Sequence, residues 1–387
     1  MFPESFTLGA TGKCHNNTII LGENNNDQSG WFVAPIADLN GDGKLELLIA
    51  ANAHPNNVAN GATYVVSGAS INLAAGSIPL ANYAIPSSGI VRLVGENNND
   101  VSGWSINSIG DLNGDGKPEV LIGTVRYPNN VGNGATYVVS GANINLAAGG
   151  SFTLTPGTGI VRLVGENNND FSGWSINSIG DLNGDGKQEL LIGAIRYPNN
   201  VNNGATYVVS GANINLAAGG SFTITPGAGI GRLVGENNGD SLGNSVSSIK
   251  DLNGDGKQEL LIGAIRYPNG VANGATYVVS GANINLATGG SFTITPGAGI
   301  VRLVGENNND FLGRSVNAIG DLNSDGKSEL FIGAYQYPSG NRQGATYVVS
   351  GANINLAAGG SFTITPGAGI GRLLGENNND FSGTSVL

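Results

Sequence analysis

Short apolar runs of four to six residues recur along the chain, and each is bounded by stretches rich in Gly, Asn, Asp and Pro. In the third recurrence the runs read WSINSI, ELLIGAI, ATYVVS and GIGRLVGE. Between them stand DLNGDGKQ, RYPNNVNNG and the longer GANINLAAGGSFTITPGA, and NNNDFSG leads into the next recurrence. Apolar runs of this length between turn residues predict β-strands, and no stretch carries the 3.6-residue period of a long helix. Consecutive strands joined this way predict an antiparallel four-stranded meander.

The strand pattern repeats with a fixed period. The string GENNND, or GENNGD in one copy, recurs with its glutamate at Glu23, Glu96, Glu166, Glu236, Glu306 and Glu376, spaced by 73 residues and then four times by 70. Residues 96–165 and 166–235 differ at 9 of 70 positions, loops included, which points to recent duplication. The units are therefore bounded as 23–95, 96–165, 166–235, 236–305 and 306–375, with partial units at 1–22 and 376–387. Repeats of this size bury their faces against their neighbours. The fold expected is all-β, a β-propeller of four-stranded antiparallel blades, with five complete repeats of about 70 residues. A parallel β-helix is the runner-up, disfavoured because its coils are much shorter. Strands of the first and fourth types occur six times and the middle two five times, so the chain reads as a fragment of a longer propeller or array.

Composition sharpens this picture. Gly (64) and Asn (52) fill 30% of the 387 positions, which makes the chain turn-rich, while 40% hydrophobic residues argue against disorder. No apolar run approaches the roughly 20 residues of a membrane span. The start, MFPESFTLGATGKCHNNT, lacks the basic and apolar regions of an export signal. Membrane insertion is not expected. A net charge of −11 with dispersed basic residues excludes nucleic acid as a partner. One cysteine, Cys14, cannot form an internal disulfide, and His15 and His54 cannot build a histidine-rich zinc site.

Of the 28 acids, all but Glu4 fall in two motifs. One is GENNND. The other runs DLNGDGKxE and offers oxygen side chains at loop positions 1, 3, 5 and 9 and a backbone carbonyl at position 7. That alternation wraps a hard cation, with glycine at position 6 permitting the sharp turn. The candidate ligands are Asp38, Asn40, Asp42, Lys44 and Glu46; Asp111, Asn113, Asp115, Lys117 and Glu119; Asp181, Asn183, Asp185, Lys187 and Glu189; Asp251, Asn253, Asp255, Lys257 and Glu259; and Asp321, Asn323, Asp325, Lys327 and Glu329. Each lysine would act through its carbonyl. Calcium is preferred over magnesium, which demands a stricter and wetter octahedron. The bland alternative, Asx-turns without an ion, is disfavoured by five copies in register. Five divalent cations would cancel ten of the eleven excess negative charges. The Leu at position 2 is free to serve as an apolar anchor. Ser324 replaces glycine at position 4 of the fifth loop, which marks it as the least regular site.

These residues resemble the FG-GAP repeats of integrin α-subunit propellers and bacterial surface proteins. The third unit reads FSGWSINSIGDLNGDGKQELLIGAI…GATYVVSG, with FSG or FLG for Phe-Gly and Ile195, Ile265, Val125 or Tyr335 where that family has proline. Position 9 is Glu in place of Asp. The resemblance covers nearly the whole chain and implies a calcium-binding, non-catalytic adhesion or recognition module, extracellular or at the cell surface, with a protein or glycan ligand. A structural segment of a longer repetitive surface protein is the alternative. A propeller-scaffold enzyme is disfavoured, because almost every polar residue exists in five copies and a catalytic site needs asymmetry.

GENNND has two readings, a second ion-binding loop or a capped inter-blade turn, and the structural one is preferred. Tyr64, Tyr137, Tyr207, Tyr277 and Tyr347 and Trp31, Trp104 and Trp174 are expected to pack. His54 is expected in solvent at a loop tip. In a meander the DLNGDGK and GANINLAAGG connections share one face, and RYPNN and GENNND the other. Partners are expected on the second face, around Arg126, Tyr127, Arg196, Tyr197, Arg266 and Tyr267.

Overall fold

The computed structural model describes residues 18–55, 58–71, 77–339 and 341–386. Residues 1–17, nearly all of the segment read for an export signal and holding Glu4, Cys14 and His15, lie outside them. The described chain is all-β, broken only by short 3-10 turns, and it builds one sheet per unit five times over. The third unit is representative. Its strands Ser172–Ile179, Glu189–Ala194, Ala205–Val209 and Ile230–Val234 pair antiparallel in chain order, with Ile192 opposite Tyr207 and Tyr207 opposite Arg232.

The expected four-strand sheet needs a correction. GANINLAAGGSFTITPGA is not a plain loop: its GSFT segment forms a further strand, Gly220–Thr223, which pairs in parallel with Ile160–Val164 of the preceding unit. Four of the five sheets thereby reach five strands, and the fifth has four. At the other end Ser77–Pro79 pairs in parallel with Ile19–Leu21. The strap is also fixed by side chains. Ile214, Leu216 and Ile224 are buried beside Val161 and Leu163 of the second unit. The signal was weak because GSFT is four residues long and half-exposed.

The second strand reads as a continuous apolar run because both of its faces are covered. Strand alternation sends Leu190 and Ile192 into a core shared with Leu121 and Val138 of the second unit. Leu191 goes into the core shared with Leu260 and Ile262 of the fourth. Each such side chain contributes about 1.5–3 kcal/mol by leaving water. The sheets therefore stack face to face, and the cores lie between units.

First strands of successive units lie against each other. Ser105 Oγ donates to the Gly173 carbonyl at 2.8 Å, and Ser175 and Ser245 repeat this bond to Gly243 and Gly313. Asn107 Nδ2 donates to Asn177 Oδ1 at 3.0 Å. At φ 82°, Gly173 brings its backbone so close that a Cβ would stand 2.5 Å from the Ala135 carbonyl oxygen. This is the physical demand behind the glycine of FSG.

Candidate metal centres and the inter-unit clamp

Each DLNGDGKxE loop folds around its first aspartate. In the third loop Asp181 Oδ1 accepts the N–H of Gly184 at 2.6 Å and of Asp185 at 3.2 Å, and Oδ2 accepts that of Gly186 at 2.7 Å. Gly186 sits at φ 84°, the turn that permits the wrap. Asn183 Oδ1 accepts from the Asp185 N–H and Asp185 Oδ1 from the Lys187 N–H, both at 2.9 Å. Ser210, which caps the following 3-10 turn, donates to Asp185 Oδ2 at 3.0 Å. The loop and the start of GANINLAAGG thus occupy one end of the sheet, as the meander requires.

Glu189 closes the site from below. It is fully buried, and its Oε2 accepts the Leu182 N–H at 2.6 Å. Its Oε1 is buried with no hydrogen-bond partner, as are the Oε1 atoms of Glu46 and Glu329. In these three loops the acids converge: ligand atoms of Asp38, Asp42 and Glu46, of Asp181, Asp185 and Glu189, and of Asp321, Asp325 and Glu329 lie within 4.8 Å of one another. Among the described residues, Asp111, Asp115 and Glu119, and Asp251, Asp255 and Glu259, are not so grouped. There the glutamate commits both oxygens to backbone, Glu119 to the N–H of Leu112 and Gly141 and Glu259 to that of Leu252 and Gly281. In the fifth loop Ser324 adopts the left-handed conformation, φ 63°, that glycine holds at this position elsewhere.

The electrostatics divide the carboxylates. Burial works to raise Asp181, but the N–H bonds from Gly186, Gly184 and Asp185 outweigh it and hold the carboxyl below its ordinary range; Asp111 and Asp251 behave alike. Burial pushes Glu119, Glu189 and Glu259 up to about 7. Burial likewise raises Glu46, with Asp38 and Asp42 adding to it. A buried carboxylate oxygen without a donor, beside ionised aspartates, fits a hard divalent cation bound through oxygen.

GENNND is structural. Glu166 pairs with Arg232 and accepts the Tyr207 hydroxyl at 2.7 Å, and the same set recurs at Glu23 with Arg92 and Tyr64. Arg232 also donates to Ser291 on the strap of the next unit and lies 4.6 Å over the Tyr197 ring. Asp170 is buried; its Oδ2 accepts from Asn167 Nδ2 at 2.9 Å and its Oδ1 from the Asn199 N–H at 2.8 Å. GENNND and RYPNN are thereby tied at the end of the sheet opposite the acidic loops.

Three expectations change here. His54 is buried, not solvated, with Nδ1 2.9 Å from the buried Asp27 Oδ2. Trp31 is exposed, although it still contacts Trp104, which contacts Trp174 in turn. The Arg-Tyr pairs separate: Tyr127, Tyr197 and Tyr267 pack under Arg162, Arg232 and Arg302, while Arg126, Arg196 and Arg266 have no ion pair among the described residues. The buried tyrosines Tyr64, Tyr137, Tyr207, Tyr277 and Tyr347 pack as expected.

The FG-GAP repeat family model matches residues 29–66, 102–139, 172–209, 242–279 and 313–349, each spanning the first three strands of a sheet and its acidic loop. The chain is an FG-GAP repeat protein. FG-GAP repeats are typical of extracellular and surface proteins and are generally non-catalytic. Among solved structures, the chain is similar to the V. cholerae biofilm matrix protein Bap1, at 18% identity and TM-score 0.37, over 85% of this chain and 40% of that one. It thus spans two fifths of the Bap1 chain. It is also similar to BBS1N from a complex with ARL6DN, at 9% identity and TM-score 0.35, over 89% of this chain and 86% of that one. Among the described residues no helix is long and apolar enough to cross a membrane.

Proposed function

We propose that the protein is a calcium-stiffened, non-catalytic recognition or adhesion module working outside the cell, its five sheets set as the blades of a β-propeller. The observation that carries the calcium reading is the orphaned Oε1 of Glu46, Glu189 and Glu329, each buried within reach of two further carboxylates. Leaving such an atom unpaired is costly, and a cation removes the cost. In the third loop Asp181, Asn183, Asp185, the Lys187 carbonyl and Glu189 would hold it, and the corresponding residues would do so from Asp38, Asp111, Asp251 and Asp321. The cation would supply charge neutralisation and cross-linking of the loop, with no chemical step. The blade arrangement is supported by the face-to-face stacking of the sheets and by the contacts between successive first strands. The unit boundaries at 23, 96, 166, 236 and 306 belong to the same reading.

Linkage gives the expected scale. A site at about 100 times its dissociation constant adds roughly 2.7 kcal/mol to the folded state. Melting in excess calcium and in calcium-stripped buffer should differ by many degrees, with ions counted by native mass spectrometry. Superimposable melts with no bound calcium would sink the reading.

A further inference from the structure

The residues at the start of the first strand vary along the chain, Val101 and Trp104, Phe171 and Trp174, Ser241 and Asn244, Phe311 and Arg314, and one junction is left open. At the start of the first strand the third unit carries Phe171 and Trp174, whereas the fourth carries Ser241 and Asn244. Phe171 stacks on Trp174, their planes 6° apart, and lies under Arg196 with the guanidinium 4.2 Å from its ring centre, so the junction of the second and third units is filled. At the next junction the two large rings are missing, and a cavity of about 360 Å³ opens between the third and fourth units. The backbone is unchanged, since Ser241 holds φ 55° and Phe171 φ 56°. The opening is therefore a side-chain difference, and it sets this junction apart from the filled one before it.

The chemistry of the lining is specific. Arg196 and Arg266 both border the cavity, and neither has an ion pair among the described residues, in a chain of net charge −11. Burial, followed by Arg266 and Arg126, holds the Arg196 guanidinium below its ordinary value, so the arginines feel one another without a counter-anion. Trp174 contributes an apolar aromatic surface. Asn200 and Asn202 also line the space, and among the described residues their side-chain amides make no hydrogen bond, while buried Asn244 gives its Nδ2 to the Arg314 carbonyl at 3.0 Å.

We propose that this cavity binds a carboxylate-bearing sugar, the uronate unit of an acidic glycan. Guanidinium forks match a carboxylate with two parallel N–H bonds. Amides that both donate and accept suit neighbouring hydroxyls, and an indole face suits the C–H face of a pyranose ring. The volume lies at the small end of ligand sites, which fits one or two rings of a longer polymer. The net charge repels a densely charged polyanion more strongly than a glycan with a carboxylate on every second ring. The site lies about 20 Å from the acidic loops, at the other end of the second strand. The inference deepens the recognition reading above and does not depend on the calcium sites.

The test is titration of the whole chain, at saturating calcium and low salt, with a glucuronate–N-acetylglucosamine tetrasaccharide, followed by calorimetry and tryptophan fluorescence. The tetrasaccharide should bind, and its methyl ester should bind at least tenfold more weakly. The double variant Ser241→Phe/Asn244→Trp, which restores the filled junction of the second and third units, should lose binding while its melting temperature holds. Arg196→Gln and Arg266→Gln, both outside the packed cores, should each weaken binding about tenfold. Absence of binding by the natural chain, binding that survives the double variant, or capture of an aspartate-rich peptide but not the sugar would each overturn the proposal. Calcium melts on the same samples separate the two readings. A calcium-stabilised chain that ignores the sugar overturns the glycan site alone, and sugar binding without calcium stabilisation supports that site while overturning the calcium reading.

Discussion

Leu182 Cδ2 lies 2.8 Å from the point where a Cβ on Gly281 would stand. The second residue of the third acidic loop is thus seated in the fourth unit, and Leu39, Leu112 and Leu252 repeat the contact one unit on at Gly141, Gly211 and Gly351. All four leucines are buried, whereas Leu322, with no further sheet described beyond it, is 57% exposed. An ion held in a loop would therefore position the anchor of the neighbouring unit as well as its own hairpin.

Truncating that anchor measures the coupling. Leu182→Ala should destabilise by about 2–5 kcal/mol, the range for deleting a buried leucine side chain. Leu322→Ala should stay within about 0.5 kcal/mol. Urea unfolding of the two variants checks this, and equal losses would contradict the packing.

The acidic loops predict a pH dependence whose sign depends on calcium. Without the ion, the folded-state values of Glu119, Glu189 and Glu259, about 7, lie above the ordinary 4.5. Their contribution to stability is then fully present below 4.5 and lost as pH rises through about 7. Calcium-stripped protein should melt higher at pH 6 than at pH 8. Calcium binding must expel those protons, so saturating calcium should flatten or reverse the trend. A stripped protein that melts higher at pH 8 would count against the buried glutamates.

Removing one loop's leading carboxylate tests how far its effect spreads. Asp181→Ala should cost one bound ion and leave the sites at Asp38 and Asp321 occupied. Native mass spectrometry reads the ion count, and hydrogen exchange should show loosening in the third unit and, through Leu182, in the fourth. Loss of all five ions would mean cooperative closure.

The clamp at the opposite end should matter without calcium. Glu166→Gln removes the charge that Arg232 faces and weakens the bond from Tyr207, for an expected loss of about 1.5–3 kcal/mol. Chemical denaturation in calcium-stripped buffer isolates this term. A neutral result would demote the clamp to a surface ion pair.

Much of this was legible in the sequence because it follows local rules. Alternation and turn residues located the four antiparallel strands, and Asp181 to Glu189 could be read because spacing along one loop is nearly its geometry. The strap Gly220–Thr223 was hidden because its partner, Ile160–Val164, lies about 60 residues upstream and its own pattern is short and half-exposed. His54 was misread because its burial depends on Asp27, a partner that no local pattern names. Arg196 and Tyr197 are adjacent in sequence yet have different duties, since the tyrosine is claimed by Arg232 from the fourth strand. The open junction is written as Ser241 and Asn244, but neither residue marks a cavity until the third unit stands against the fourth.

Each of the first four units lends a strand backward and a leucine forward, so adjoining units are interlocked in both directions. A duplicated 70-residue block inserted between the second and third units would find its socket, its strap partner and its clamp already in place. Length can then vary in whole steps at little cost to packing, while fractional steps would leave a leucine without a seat and a strand without a mate. The recent duplication written in residues 96–235 is the kind of growth this joinery tolerates.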